Sequence, residues 1–141
     1  MTTRSVSGGE RDSEAEVVTV DLHIDPQAPR QARRAARETL TRWQLGSLVD
    51  RVLLVVSELV TNGVRYGSPP LRLILRRLDR SVRVDVHDAV PHEPHLPDRG
   101  APVDLDDESG RGLLIVHAVA DSTGVEQVPG DGKNVYASFD T

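Results

Sequence analysis

The sequence predicts an α+β fold, a two-layer sandwich in which three helices cover one face of a mostly antiparallel sheet. Three observations support this prediction. The length of 141 residues suits a single domain. Three segments carry apolar residues at helical spacing, and five shorter segments have the composition of strands. Helices and strands follow one another in pairs rather than as regular βαβ units, which favours antiparallel pairing.

Folded structure is expected to begin at residue 17. Residues 1–16 mix Ser, Gly, Arg and Glu without apolar periodicity, which predicts a disordered tail before a folded domain at 17–141. Apolar and polar residues alternate over residues 17–24, as they do in a strand. A proline follows, and alanines then recur at spacings of three and four, so residues 26–43 are predicted to form an amphipathic helix.

The middle of the chain predicts the longest helix and a hairpin. Residues 48–66 carry a broad arc of valines and leucines that suits packing on a sheet. A Gly-Ser-Pro-Pro segment ends this helix. Two runs of leucine and β-branched residues follow, at 71–78 and 82–88, and the three polar residues between them predict a hairpin turn.

The last third of the chain predicts a long loop, a short helix and a closing hairpin. Residues 89–109 are rich in proline and acidic side chains and have no regular period, which indicates a loop of about twenty residues. Residues 113–120 are apolar enough for a buried helix. Residues 122–128 and 135–140 flank a Pro-Gly-Asp-Gly turn signal and are expected to pair.

Composition narrows the classes of function. The net charge of −5 argues against general affinity for nucleic acid, so no direct nucleic-acid partner is expected. No apolar run approaches the roughly 20 residues that cross a bilayer, and residues 1–10 lack the apolar stretch of a signal peptide. We therefore expect no membrane contact and a cytoplasmic location. The lack of cysteine removes thiolate metal sites but leaves hard cations such as Mg²⁺.

Glu58 and Asn62 form the first candidate site. They lie four residues apart on the second predicted helix and therefore project from the same side, away from the apolar arc. An amide oxygen can coordinate Mg²⁺ beside phosphate oxygens, and a carboxylate can orient or deprotonate an incoming hydroxyl. An ordinary polar helix surface explains the same two residues equally well.

Asp88 is the second candidate. It ends a strand whose other residues on the same face are valines, and a carboxylate on a buried face needs a hydrogen-bond donor. The amino group of adenine is one suitable donor. The alternative is a structural role, in which Asp88 caps the turn that follows the strand.

The third candidate is the segment 109–113, in which Gly110 and Gly112 flank Arg111. Glycines at the start of a helix allow a phosphate to approach the free N–H groups there, and the helix dipole favours the negative charge. Arg111 can add a charged contact. A plain turn from loop to helix accounts for the two glycines nearly as well.

The order of these segments resembles the GHKL ATP-binding superfamily, which includes gyrase-type, chaperone and histidine-kinase ATPase domains. The resemblance is greatest to its branch of anti-sigma regulatory factors and serine-protein kinases, in the short stand-alone form common in actinobacteria. Residues 58–67 look like the N box of that branch, residues 86–88 like its adenine-binding segment, and residues 110–116 like its second glycine box. The resemblance covers roughly residues 17–140.

The resemblance implies the Bergerat ATP-binding fold, with ATP and Mg²⁺ as cofactors. It implies that Glu58 is the catalytic carboxylate, that Asn62 contacts the nucleotide and coordinates Mg²⁺, and that Asp88 reads adenine. It implies that Gly110 and Gly112 form part of the phosphate-binding lid, and Arg111 and Leu113 are expected to bind the nucleotide with them. Members of the branch phosphorylate a serine or threonine of an antagonist protein, and the unoccupied kinase binds a sigma factor. The implied partners are therefore a sigma factor and an anti-anti-sigma antagonist, and a homodimer is in keeping with this branch.

Two other functions stay open. A non-catalytic module of the same fold would bind nucleotide and sequester a transcription regulator. A metal-dependent hydrolase would use a cluster formed by His87, Asp88, His92 and His95. Outside these sites, Trp43 is expected to anchor a helix in the core, and Lys133 is expected to be a charge at a turn or strand end.

Overall fold

One antiparallel sheet and three helices make up the part of the chain that the computed structural model describes, residues 2–5, 16–91 and 108–141, with the backbone alone at 2–5 and 108–111. The strands are β1 Thr2–Ser5, β2 Glu16–Leu22, β3 Leu71–Arg77, β4 Ser81–Asp88, β5 Ser122–Gln127 and β6 Lys133–Asp140. They lie in the order β1-β2-β3-β4-β6-β5. The helices are α1 Ala28–Arg42, α2 Val49–Tyr66 and α3 Glu108–Val119, and a 3-10 turn, Gly46–Leu48, precedes α2.

One face of the sheet is apolar and forms the floor of the core. A row of fully buried residues crosses four neighbouring strands at matching register positions, namely Val18, Leu75, Val84 and Ala137. Helices α1 and α2 pack on this face, and α3 packs on α2 and β5. The predicted α+β sandwich, with three helices on one face of an antiparallel sheet, is therefore confirmed.

Helix α1 is fixed at its C-terminal end by the start of β2. Its buried residues are mostly alanines, which let the helix lie close to the sheet. Trp43, the residue after the helix, is buried, and its indole Nε1 donates a hydrogen bond to Glu16 at 2.8 Å. Arg42 pairs with the same carboxylate at 3.0 Å. The hydrogen bond from Trp43, together with Arg42, holds the pKa of Glu16 below its ordinary value. The expectation that Trp43 anchors a helix is confirmed.

Helix α2 carries the widest apolar surface. Its buried residues include Val52, Val56, Leu59 and Val60, which recur at spacings of four, three and one. Gly63 lets its last turns approach β3, because a Cβ atom there would lie 2.7 Å from Leu71 Cδ1. None of the described helices is long and apolar enough to span a bilayer.

Most predicted boundaries agree with the structure to within two residues, and two predictions differ from it by more. Residues 1–16 were expected to form a disordered tail, but Thr2–Ser5 forms an edge strand antiparallel to β2, and β2 itself begins at Glu16. The third helix was expected to start at Leu113, but it starts at Glu108. Neither feature has an apolar period of its own, so the pairing or packing of neighbouring elements decides both. Most of the predicted long loop, residues 92–107, lies outside the described residues.

Candidate functional site

Glu58 and Asn62 lie on α2, and Glu58 faces α3. Both side chains are partly buried. Gly112 of α3 packs directly on Glu58, since a Cβ atom at position 112 would lie only 2.5 Å from the Glu58 carboxylate oxygen Oε2. The absence of a side chain at Gly112 therefore allows α3 to lie against this carboxylate. The structure thus brings together two of the predicted site residues that are 54 positions apart in the sequence (112 − 58).

The other residues of the glycine segment have different surroundings. Gly110 and Arg111 lie within the first turns of α3, rather than before the helix as the sequence predicted. The side chain of Arg111 lies outside the described residues. Leu113 is buried in the main hydrophobic core, so its side chain contributes to packing rather than to a surface that a ligand could reach.

The C-terminal end of α3 is held by Arg51 of α2. The Arg51 guanidinium donates two hydrogen bonds to the carbonyl of Val119, at 2.8 and 3.2 Å, and Asp121 lies 3.5 Å away. The guanidinium carbon also lies 5.3 Å from the centre of the Phe139 ring. Two contacts therefore set the position of α3 on α2: one between Gly112 and Glu58, the other between Arg51 and Val119.

Asp88 ends β4 and is buried, as the sequence predicted, and it already has its donors. Lys133 Nζ donates to both carboxylate oxygens of Asp88, at 3.1 and 3.0 Å. The backbone N–H of Val90 donates to Asp88 Oδ1 at 2.8 Å. The hydrogen bond from Val90 is the turn cap that was considered as the structural alternative for Asp88. The buried carboxylate is thus compensated within the chain.

Two glycines enclose the Asp88 carboxylate and its backbone. A Cβ atom at Gly67, just after α2, would lie 3.0 Å from Asp88 Cγ. Gly132, which has a positive φ of 79°, lies against the Asp88 carbonyl and Ala89 so closely that a Cβ atom would overlap them. These close approaches bring the end of α2 and the start of β6 against Asp88.

Lys133 is the residue at this site that the sequence interpretation missed. It was expected to be a charge at a turn or strand end, and it does begin β6, but it is only 5% exposed. Lys133 lies directly opposite Asp88 in the β4–β6 pair, so the register of these two strands creates the contact. Opposite charges at the two ends of pairing strands were visible in the sequence, but the pairing itself was not.

The cluster proposed for a metal-dependent hydrolase does not converge in the described residues. Successive strand residues point to opposite faces of a sheet, so His87 faces away from the side on which Asp88 lies. His87 Nδ1 lies 2.7 Å from the side-chain oxygen of Asn134. His92 and His95 lie outside the described residues. Within the described parts of the chain, no group of three or more His, Asp or Glu side chains is placed to hold a metal ion.

A second charged cluster lies on the sheet face opposite the helices. Asp85 is fully buried there and accepts two hydrogen bonds from Arg83, at 2.8 and 3.0 Å. Burial raises the pKa of Asp85, although Arg83 works in the opposite direction. Burial would lower the pKa of Arg83, but Asp85 and Glu126 raise it above its ordinary value. The cluster satisfies its own charges, so we assign it a structural role.

Comparison with known proteins connects this arrangement to a family and a fold. Residues 22–139, well over half of the chain, match the model of the family described as histidine kinase-like ATPase domain. The fold is similar to that in the crystal structure of the RsbU and RsbW domains of Rv1364c from Mycobacterium tuberculosis, with a TM-score of 0.61 and 18% sequence identity. That match covers 87% of this chain but only 31% of the other. No curated protein is detectably similar in sequence.

Proposed function

Since this chain belongs to the histidine kinase-like ATPase domain family, we propose that it binds Mg-ATP and phosphorylates a serine or threonine of an antagonist protein. The observation that carries the proposal is the packing of the Glu58 carboxylate on Gly112, with Asn62 one turn further along α2. A carboxylate beside the first turns of another helix, with an amide one turn away on its own helix, can supply the positioning and charge stabilisation on which phosphoryl transfer depends.

The residues present fit a hard cation and a phosphate chain. Asn62 would hold Mg²⁺ through its amide oxygen, which is a ligand type that this ion prefers. When bound, the ion supplies positive charge that stabilises the transferring phosphoryl group. Glu58 would orient the attacking hydroxyl and accept its proton. The first N–H groups of α3, in the turn that contains Gly110 and Arg111, have no partner within the helix and would donate to phosphate oxygens.

Asp88 is proposed to contact the amino group of adenine. A carboxylate offers about four acceptor positions, and the described contacts of Asp88 use three of them. One position therefore remains for the base, on a carboxylate whose charge Lys133 already compensates.

The proposed partners are a sigma factor, which the protein would bind, and an anti-anti-sigma antagonist, which it would phosphorylate. The structural similarity to a protein with RsbU and RsbW domains supports this proposal. A cytoplasmic location, the lack of a direct nucleic-acid contact and a homodimer belong to the same proposal.

A second candidate function is a non-catalytic nucleotide-binding module that sequesters a transcription regulator. The ion pair between Asp88 and Lys133 bears on nucleotide affinity and is the same for both candidates, so it does not separate them. The two candidates share the fold and differ in whether Glu58 has a chemical task.

Calorimetric titration with ATP and ADP, with and without Mg²⁺, tests nucleotide binding. We expect binding that Mg²⁺ strengthens, and a folded protein that ignores both nucleotides at millimolar concentration would overturn the proposal. Glu58→Gln is then expected to retain ATP binding and lose phosphotransfer to the antagonist, while Asp50→Asn, at an exposed position in the first turn of α2, retains both. Phosphotransfer by Glu58→Gln at the wild-type rate would overturn the role of Glu58, whereas a wild type that binds ATP but transfers no phosphate would favour the non-catalytic candidate.

A further inference from the structure

The ammonium group of Lys133 has no free donor within the described contacts. Its three N–H groups match three acceptors: the two oxygens of Asp88, at 3.1 and 3.0 Å, and the carbonyl of Val90, at 2.9 Å. The side chains of Lys133 and Asp88 are 7% and 6% exposed. The pair is therefore a buried, fully hydrogen-bonded ion pair and not a loose surface contact.

The position of this pair is fixed by the fold. Lys133 and Asp88 are partners in the antiparallel register of β4 and β6, and Gly132 draws the start of β6 onto the backbone of Asp88 and Ala89. Gly67 brings the end of α2 to the other side of the same carboxylate. Lys133 thus occupies the immediate surroundings of the one group that the proposed function assigns to the nucleotide base.

We propose that Lys133 is an internal competitor for the base: its ammonium compensates the charge of the Asp88 carboxylate and occupies two of its acceptor positions, so the adenine amino group binds Asp88 only weakly, which lowers nucleotide affinity and weakens selectivity for that amino group. This inference rests on the nucleotide-binding function proposed above. A hydrogen bond to an unpaired buried carboxylate stabilises a complex far more than one to a carboxylate that is already neutralised.

Lys133→Met tests the proposal by removing the ammonium while keeping an unbranched side chain. With no counter-charge on Asp88, the amino group of ATP becomes its available donor, and we expect affinity for ATP to rise about tenfold or more. Lys133→Arg, which retains a cation, is the matched control and should bind ATP within about threefold of the wild type. The double variant Asp88→Asn with Lys133→Met should lose the gain.

A second measurement already tests the proposal on the wild-type protein, so it stands even if Lys133→Met does not fold. ATP is compared with purine riboside triphosphate, which lacks the 6-amino group. We expect the wild type to prefer ATP by less than about fivefold, and folded Lys133→Met to prefer it by about tenfold or more. Thermal unfolding without nucleotide shows which variants are folded.

The outcomes separate the two proposals. A wild-type preference for ATP of about fivefold or more, or a folded Lys133→Met that binds ATP no more tightly than the wild type, overturns the role of Lys133 and leaves nucleotide binding intact. Binding of ATP by Lys133→Met about tenfold or more tighter than by the wild type supports it. Absence of binding in every folded variant overturns the nucleotide function, and this inference with it.

Discussion

A missing side chain controls the surroundings of the Glu58 carboxylate. Because Gly112 has no Cβ atom, the backbone of α3 lies against Oε2 of Glu58, at the end of a flexible side chain. A larger residue at position 112 would displace the carboxylate rather than the helix, since rotating a glutamate side chain costs less than moving a packed helix. Catalysis is sensitive to such displacement, and misplacement by about 1 Å can cost about a hundredfold in rate.

Gly112→Ala is therefore expected to separate activity from stability. The free energy of unfolding should change by less than about 1 kcal/mol, because the better helix propensity of alanine offsets the crowding. Phosphotransfer should fall about tenfold or more, because the Glu58 carboxylate moves. Urea unfolding and phosphotransfer assays measure the two quantities. The control is Gly46→Ala, since nothing lies within 4 Å of a Cβ atom at that glycine. Wild-type phosphotransfer in Gly112→Ala would contradict the assigned role of Glu58.

The contact of Glu16 with Trp43 makes stability depend on pH in a predictable direction. The pKa of Glu16 is lowered from its ordinary value of 4.5 in the folded state, chiefly by the hydrogen bond from Trp43. The folded state therefore binds the proton more weakly than the unfolded state does. The contribution of the carboxylate to stability is fully present above the unfolded pKa and is lost as pH falls through the lowered folded pKa.

Glu16→Gln tests this contribution, because glutamine still accepts the indole hydrogen bond but does not titrate. At neutral pH the variant should unfold at lower urea concentration than the wild type. The difference in free energy of unfolding should shrink steadily as pH falls below 4.5 and into the acid range. A difference that stays constant from neutral pH to about pH 3 would show that the carboxylate charge contributes nothing.

At the scale of elements, α3 depends on α2 at both ends. Gly112 meets Glu58 near its N-terminal end, and Arg51 binds the carbonyl of Val119 at its C-terminal end. A guanidinium at a helix C-terminus satisfies a carbonyl that has no partner within the helix, and its charge opposes the negative end of the dipole. Arg51 thus positions α3, the helix that carries Gly112.

Arg51→Met should loosen α3 more than the rest of the fold. The variant loses two hydrogen bonds from a charged donor, so we expect stability to fall by about 1–2 kcal/mol. Amide hydrogen exchange should speed up in α3 before it changes in the central strands. The matched control is Arg34→Met, because Arg34 pairs with Glu38 on an exposed surface, where an ion pair contributes little. Exchange that rises uniformly across the sheet would contradict a local role.

The elements that the sequence predicted well are those whose signal is local. Helices α1 and α2 each carry a complete apolar stripe, and the two hairpins carry their own turn residues. The start of α3 was missed because its glycines disfavour a helix in isolation, so the segment depends on packing against α2.

In the candidate site too, the features with a local sequence signal were predicted and those that depend on distant pairing were not. Glu58 and Asn62 were correctly placed on one helix, because a spacing of four is a property of the helix itself. The ion pair of Asp88 with Lys133 joins residues 45 positions apart, and it follows from the register of β4 and β6, which no single segment specifies. Local periodicity could identify Asp88 as buried but could not identify its donor.

At the scale of the whole molecule, one hydrophobic core connects the helices and strands of the described residues. Residues from all three helices and from strands β2, β3, β4 and β6 belong to the same buried cluster, which includes Leu40, Val56, Leu75, Val116 and Phe139. Most of the fully buried side chains are leucines and valines, in keeping with an aromatic content of only 3%. A domain built around a single core of this kind is expected to unfold as one cooperative unit.

Two independent probes can test that cooperativity. The chain has one tryptophan, Trp43, which lies at the end of α1, so its fluorescence reports on one edge of the core, whereas far-ultraviolet circular dichroism reports on all helices and strands. We expect urea transitions from both probes to coincide. Leu75→Ala, at a fully buried position in β3, should lower the free energy of unfolding by about 3 kcal/mol in both signals. If fluorescence kept its wild-type midpoint in this variant while circular dichroism shifted, α1 and the sheet would be separate folding units. In a single cooperative unit, the loss of Leu75 lowers the stability of α1 and of the sheet by the same amount.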